Sequence, residues 1–173
     1  MDESFKLYEL MIRVPHIQVQ LVYRHYKPQQ FHAMIDTGSD VTLVSQAYYP
    51  AQYWKDLKRP IQILVASGQV SQLSKVVFGQ FIGIYDDTTK DHNILPLPTI
   101  VLQAPPDASY NILLGIDFLK RFTQYSSDHS HIKLLTPCGH WSTEPILPNP
   151  SIRHTITFKP HSLHGDNPYI PKE

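Results

Sequence analysis

Apolar and polar positions alternate with period two over much of the first 135 residues. Ile17, Val19, Leu21 and Tyr23 alternate with Gln18, Gln20 and Val22, the pattern of a half-buried strand. Phe31, Ala33 and Ile35 repeat it and run directly into Asp36-Thr37-Gly38, and Val41–Val44 is a further apolar run. Ile61–Val65 and Val70–Phe78 flank Ala66-Ser67-Gly68, which predicts a hairpin. Phe81–Tyr85, Leu97–Leu102, Tyr110–Leu114 and His131–Leu135 extend the series of short strands, the last of them closing the core. Helical spacing is clearest over Gly115–Phe122, where Ile116 and Leu119 share a face with Lys120 or Phe122. Ser45–Leu57 also has helical character, but Pro50 limits it to short pieces. Many short strands and one short helix near the end of the core predict an all-β barrel or folded sheet.

Proline changes this picture at one end. Seven of the 15 prolines lie between Pro137 and Pro171. A body over residues 1–135 and a Pro- and His-rich segment over 136–173, an extended wrap or partly disordered tail, are therefore expected. Within that segment Ile152, His154, Ile156 and Phe158 alternate as in a strand, so part of it is expected to dock on the body, with Trp141 as an anchor. Charge is balanced, 15 Lys+Arg against 15 Asp+Glu, which argues against a direct nucleic-acid footprint. No run approaches the length of a membrane span, and the first residues carry no apolar signal-peptide core. The single cysteine, Cys138, allows no intrachain disulfide and makes the cytosol the default compartment. Cys138-Gly139-His140, with His129 and His131 nearby, matches no zinc spacing, so neither metal nor cofactor is expected.

The chemistry points to Asp36-Thr37-Gly38-Ser39. A carboxylate at the end of an apolar strand is costly to desolvate and needs donors close by. Gly38 lets the backbone turn tightly so that amide N–H groups face the carboxylate, and Thr37 and Ser39 offer hydroxyls. A second element follows at Tyr110-Asn-Ile-Leu-Leu114-Gly115-Ile-Asp-Phe-Leu119, a strand, a glycine and the start of a helix.

Taken together and in this order, these elements resemble the retroviral-type aspartic proteases, the retropepsins, over about residues 10–135. The run Leu113-Leu-Gly-Ile-Asp-Phe-Leu-Lys-Arg-Phe122 is most similar to the branch found in plant pararetroviruses, the caulimovirid polyprotein proteases. The resemblance implies a half-size enzyme. With one Asp-Thr-Gly per chain, Asp36 from each of two subunits would form the catalytic dyad on a two-fold axis. The two carboxylates would share a proton and activate a water against a peptide carbonyl. Thr37 would interlock with its symmetry mate, and Gly38 and Asp40 would meet the substrate backbone. Ala66, Ser67 and Gly68 would form the tip of a flap that closes over the substrate. Leu114 and Gly115 would support the site from beneath. The expected partners are a second copy of the chain and a viral polyprotein substrate, in the host cytoplasm or in assembling particles.

Two features depart from the family pattern. In the animal retroviral branch an arginine follows the glycine equivalent to Gly115 and pairs with the aspartate at the Asp40 position; here Ile116 stands there. The 38 residues after Leu135 have three open roles: to replace a terminal dimer interface, to obstruct it, or to lead into a downstream domain. A cellular protease of the same dimeric design and a non-catalytic dimerisation module are the alternative readings. The intact Asp36, Thr37 and Gly38 weigh against the second.

Overall fold

The period-two runs become strands because each finds a partner that buries its apolar face. The structure, a computed structural model, describes residues 14–64, 70–148 and 156–160. The strands are β1 (His16–Val22), β2 (Gln29–Ile35), β3 (Leu43–Val44), β4 (Lys55–Leu64), β5 (Val70–Phe78), β6 (Phe81–Asp86), β7 (Asp91–Pro96), β8 (Ile100–Gln103), β9 (Ile112–Leu114), β10 (Gln124–Ser127), β11 (His131–Leu135) and β12 (Trp141–Pro145). One short helix, α1 (Ile116–Leu119), follows β9. The chain is thus all-β with very little helix. Pro50 divides the Ser45–Leu57 stretch as expected, leaving 3₁₀ turns at Gln46–Tyr48 and Ala51–Tyr53.

Nine strands form one sheet in the order β4-β5-β8-β3-β9-β2-β1-β6-β7, and β10-β11-β12 form a second. The sheet has two apolar faces. Ile17, Val19 and Leu21 of β1, Phe31, Ala33 and Ile35 of β2, and Ile112 and Leu114 of β9 point into the larger core. Leu43, Leu73, Val76, Leu102 and Leu113 point the other way into a smaller cluster edged by Met34, Ile63 and Tyr110. Short central strands buried on both faces read as unbroken apolar runs, which is how Ile112–Leu114 reads.

Three strands lie where the pattern predicts none. β7 pairs with β6 from Asp86↔Asp91 to Phe81↔Pro96 although it opens on Asp-His-Asn. It is the edge of the large sheet, and an edge strand tolerates polar residues and a proline. β10 is fully exposed and equally polar. β12 lies beyond Leu135, so His131–Leu135 is not the last strand: β12 pairs with β11 and buries Ser142 and Glu144. Its Trp141 faces outward and is 42% exposed, so it is not the expected anchor. Leu97 is buried but precedes β8, because Pro96 and Pro98 on either side of it have no N–H for a ladder. β4 begins at Lys55, earlier than expected, with a register shift between Asp56 and Ile61 around Pro60.

Beyond β12, Ile156 and Phe158 pack against the larger core. The Phe158 ring meets Tyr23 edge-on at 5.2 Å and lies 5.6 Å from Tyr26. The Lys27 amide donates to the Lys159 carbonyl at 2.8 Å, and Gln29 Nε2 donates to the Thr157 carbonyl at 3.1 Å. Ile152 and His154 lie outside the described residues. Because the aromatic contact is the apolar part of this docking, Phe158→Ala should lower unfolding free energy by about 1–2 kcal/mol, less than for a fully buried ring. A urea titration followed by tyrosine fluorescence checks this, with the midpoint moving and the slope unchanged.

Candidate active site

β9 inserts between β2 and β3, and this insertion shapes the turn that carries Asp36. β9 runs parallel to β2, with Ile35 opposite Leu114, and antiparallel to β3, with Leu43 opposite Leu113. The chain between β2 and β3, residues 36–42, must therefore arch over the end of β9. Two backbone hydrogen bonds fasten the arch. Asp36 N donates to the Leu114 carbonyl at 3.1 Å, and Ile116 N donates to the Ser39 carbonyl at 2.8 Å.

Gly115 lies directly beneath. A Cβ there would stand 2.4 Å from the Val41 carbonyl oxygen and 2.7 Å from that of Ser39. Both are backbone atoms that cannot move aside, so only glycine fits.

Within the arch, Gly38 N donates to Asp36 Oδ1 at 2.9 Å, the amide contact expected of the tight turn. A Cβ on Gly38 would lie 3.2 Å from that same oxygen. Ser39 does not serve the carboxylate. Its hydroxyl donates to the Val41 carbonyl at 2.9 Å and accepts from Val41 N at 3.4 Å, so it braces the loop. Thr37, Gly38 and Asp40 are exposed and Asp36 is half-buried, so the turn opens toward solvent. The flap residues Ala66, Ser67 and Gly68 lie outside the described residues, between the paired Leu64 and Val70.

Asp117 does what the sequence reading left unassigned. Thr42, fully buried, donates to it twice: N to Oδ2 at 3.0 Å and Oγ1 to Oδ1 at 2.7 Å. Thr42 Oγ1 then accepts from Gly115 N at 3.2 Å. The position two after the glycine thus ties α1 to the far end of the arch. Among the described residues Asp40 has no ion-pair partner, and Ile116 contributes its backbone amide where the arginine would stand. Tyr110 is a further neighbour that the pattern did not single out. Burial first, then the charges of Asp36 and Asp107, push its phenol up to about 12, so it stays a neutral hydrogen-bond donor at physiological pH. Among the described residues no cluster of three or more His, Cys, Asp or Glu side chains is placed to hold a metal ion.

The all-β chain thus holds its Asp-Thr-Gly turn at the end of an inner strand, fastened to β9 and α1. Residues 13–136 match the family model of the Cauliflower mosaic virus peptidase (A3), and the chain belongs to that family. Among curated proteins it is similar to the enzymatic polyprotein of Cauliflower mosaic virus strain NY8153, 31% identical over 147 residues, covering 76% of this chain and 20% of that polyprotein. The strain BBC polyprotein is 26% identical over 144 residues with the same coverage. The enzymatic polyprotein of Carnation etched ring virus is 27% identical over 94 residues, 54% of this chain and 13% of that protein. The chain thus spans about a fifth of the length of the first of these relatives.

The Thr42–Asp117 link gives a test of the arch independent of activity. Thr42→Val keeps the shape but strips Asp117 Oδ1 of its donor and Gly115 N of its acceptor. A loss of about 2–3 kcal/mol is expected, against about 1 kcal/mol for Asp117→Asn, which keeps an acceptor for one bond. Equilibrium denaturation of the two variants measures both.

Proposed function

We propose that the chain is an aspartic endopeptidase that cleaves a viral polyprotein as a two-fold homodimer, each subunit supplying Asp36. The observation that carries this is the exposed turn: one Asp-Thr-Gly per chain, built to a fixed shape by Gly115 and Thr42, with Thr37 and Gly38 left uncovered. A half-site of this kind becomes a whole site when a second copy covers it. Family membership supports the peptidase activity, and the names of the relatives support a polyprotein as the substrate.

In the assembled site two Asp36 carboxyls share one proton, because both cannot ionise at such close range. The ionised one takes a proton from a water lying between them. The resulting hydroxide adds to the scissile carbonyl carbon while the protonated carboxyl gives its proton to the carbonyl oxygen. Collapse of the tetrahedral intermediate breaks the C–N bond: the dyad gives its proton to the departing nitrogen while one hydroxyl of the intermediate returns a proton to the dyad, leaving a carboxyl product and the singly protonated pair. Thr37 interlocks with its symmetry mate, while Gly38 and Asp40 receive substrate main chain. The β4–β5 hairpin closes over the bound peptide and excludes water. Its arms present Leu64 and Val70, 74% and 59% exposed, beside the tip. Tyr110, a neutral donor beside Asp36, lines the entrance. The setting is the host cytoplasm, inside the polyprotein or an assembling particle.

Asp36→Ala in a cell that co-expresses the polyprotein should abolish its processing; unchanged processing would reject the enzyme reading in favour of a dimerisation module. With purified chain, the rate should grow with the square of chain concentration while monomer dominates, then linearly once dimer is complete. Linear growth from the lowest concentrations, with no dimer by sedimentation, would reject the shared site.

A further inference from the structure

Away from Asp36, two carboxyl groups are completely buried in one seam. Asp86 ends β6 and Glu144 lies within β12, both with no exposed surface. Asp86 stitches the β6–β7 turn to β12: its Oδ1 accepts from Thr88 N and Thr143 N, each at 3.0 Å. Its Oδ2 lies 3.1 Å from His140 Nε2. Asp87 N donates to the Thr143 carbonyl at 2.8 Å, completing the stitch. Glu144 is served on one side only. Its Oε1 accepts the Ser142 hydroxyl at 2.6 Å, and that hydroxyl accepts from Asn93 Nδ2 of β7 at 3.3 Å. Glu144 Oε2 is buried with no partner among the described residues.

Among the described residues, the other charged or titratable side chains on the surrounding elements place no cation on Glu144. Asp87 is paired with Lys90 at 2.7 Å and lies 3.9 Å from His131 Nε2. Asp128 accepts from Ser130 and His131 amides. His92 packs on Tyr85. Asp91 caps its neighbour's amide, Lys133 and Cys138 are exposed, and His16 begins β1. A bare carboxylate oxygen buried near a second carboxylate is costly, so the neutral acid is the form that suits this site.

The seam is joined to the catalytic strand by a short chain of backbone bonds. Ile146, two residues after Glu144, bridges Ile17, and Leu147 N donates to the His16 carbonyl at 2.8 Å. The preceding Pro15 carbonyl accepts from Ile35 N at 2.9 Å, one residue before Asp36.

We propose that Glu144, Asp86 and His140 form a proton-operated latch that holds β12 on the body while Glu144 is protonated and loosens it from β1 when Glu144 ionises. Burial pushes Glu144 up to about 8; the Ser142 bond works against this and the charge of Asp86 adds to it. The folded chain therefore binds this proton more tightly than the unfolded chain. The contribution to stability is complete below the ordinary glutamate range and is lost as pH rises to about 8. Asp86 acts in the opposite sense. Burial works to raise it, but the Thr143 and Thr88 amides and His140 together hold it below its usual value. Its contribution is present above the ordinary aspartate range and is lost as pH falls below that. The latch is tightest in the mildly acid window between the two.

The test is the melting temperature of the full chain against pH, wild type beside Glu144→Gln. Glutamine keeps an acceptor for Ser142 and cannot ionise. The gap between the two curves should change steadily from pH 5 to pH 8 in favour of the variant, by on the order of 5 °C, and then level off. Parallel curves would overturn the latch. If the variant does not fold, hydrogen exchange on the wild type decides: protection at Leu147, whose amide donates to the His16 carbonyl, should fall at least about tenfold between pH 6 and 8.5. Unchanged protection there would likewise overturn it. Neither readout depends on peptidase activity, so failure of the latch and failure of the proposed reaction are separable.

Discussion

The structure depends on one close approach, the passage of the chain at Gly115 beneath the carbonyls of Ser39 and Val41. β9 occupies the slot between β2 and β3, and the arch over it has no slack. Asp36 is fixed at one foot of that arch by Leu114, and Thr42 is fixed at the other by Asp117. Asp36 needs little support of its own, because the position of the whole loop is set by backbone packing. Geometry of this kind is rigid without being buried, so the turn can stay open to solvent and still hold its shape.

The two faces of the large sheet divide the labour. The larger core lies on one side and carries most of the buried apolar volume, including the aromatic group of Tyr23, Tyr48 and Tyr49. The smaller cluster lies on the other side, where Leu73 and Val76 of β5 pack with Leu43, Leu102 and Leu113. Its edge reaches Met34, two residues before Asp36, and Tyr110. Destabilising the larger core threatens the fold. The smaller cluster takes in Val41 of the arch, so altering it bears on the arch as well as on β4 and β5.

What was legible in the sequence follows from how strongly each feature constrains residue type. The inner strands were legible because a buried face demands alternation, as in Ile17–Tyr23, or an unbroken apolar run, as in Ile112–Leu114. Asp36, Gly38 and Gly115 were legible because close backbone approach admits few residues. β7, β10 and β12 were not, since an edge or outer strand is decided by its partner's register more than by its own propensity. The direction of the Ser39 hydroxyl was equally invisible, because a serine beside a turn serves either the carboxylate or the backbone. The Thr42–Asp117 link joins residues 75 apart and leaves no local trace. Asp86 and Glu144 sit in polar stretches whose pattern suggests solvent, and only the meeting of two separate elements buries them.

The hydrogen bond between Leu147 and His16 has a consequence for architecture on a larger scale. The first strand of the body and the end of its last strand lie side by side. Residues 156–160 then pack beside Tyr23 and Tyr26, at the other end of β1. Sequence from beyond β12 thus clasps the first strand at both ends. The two extremes of the described chain are fastened together along a whole strand rather than at a point, and neither can peel away without releasing the other.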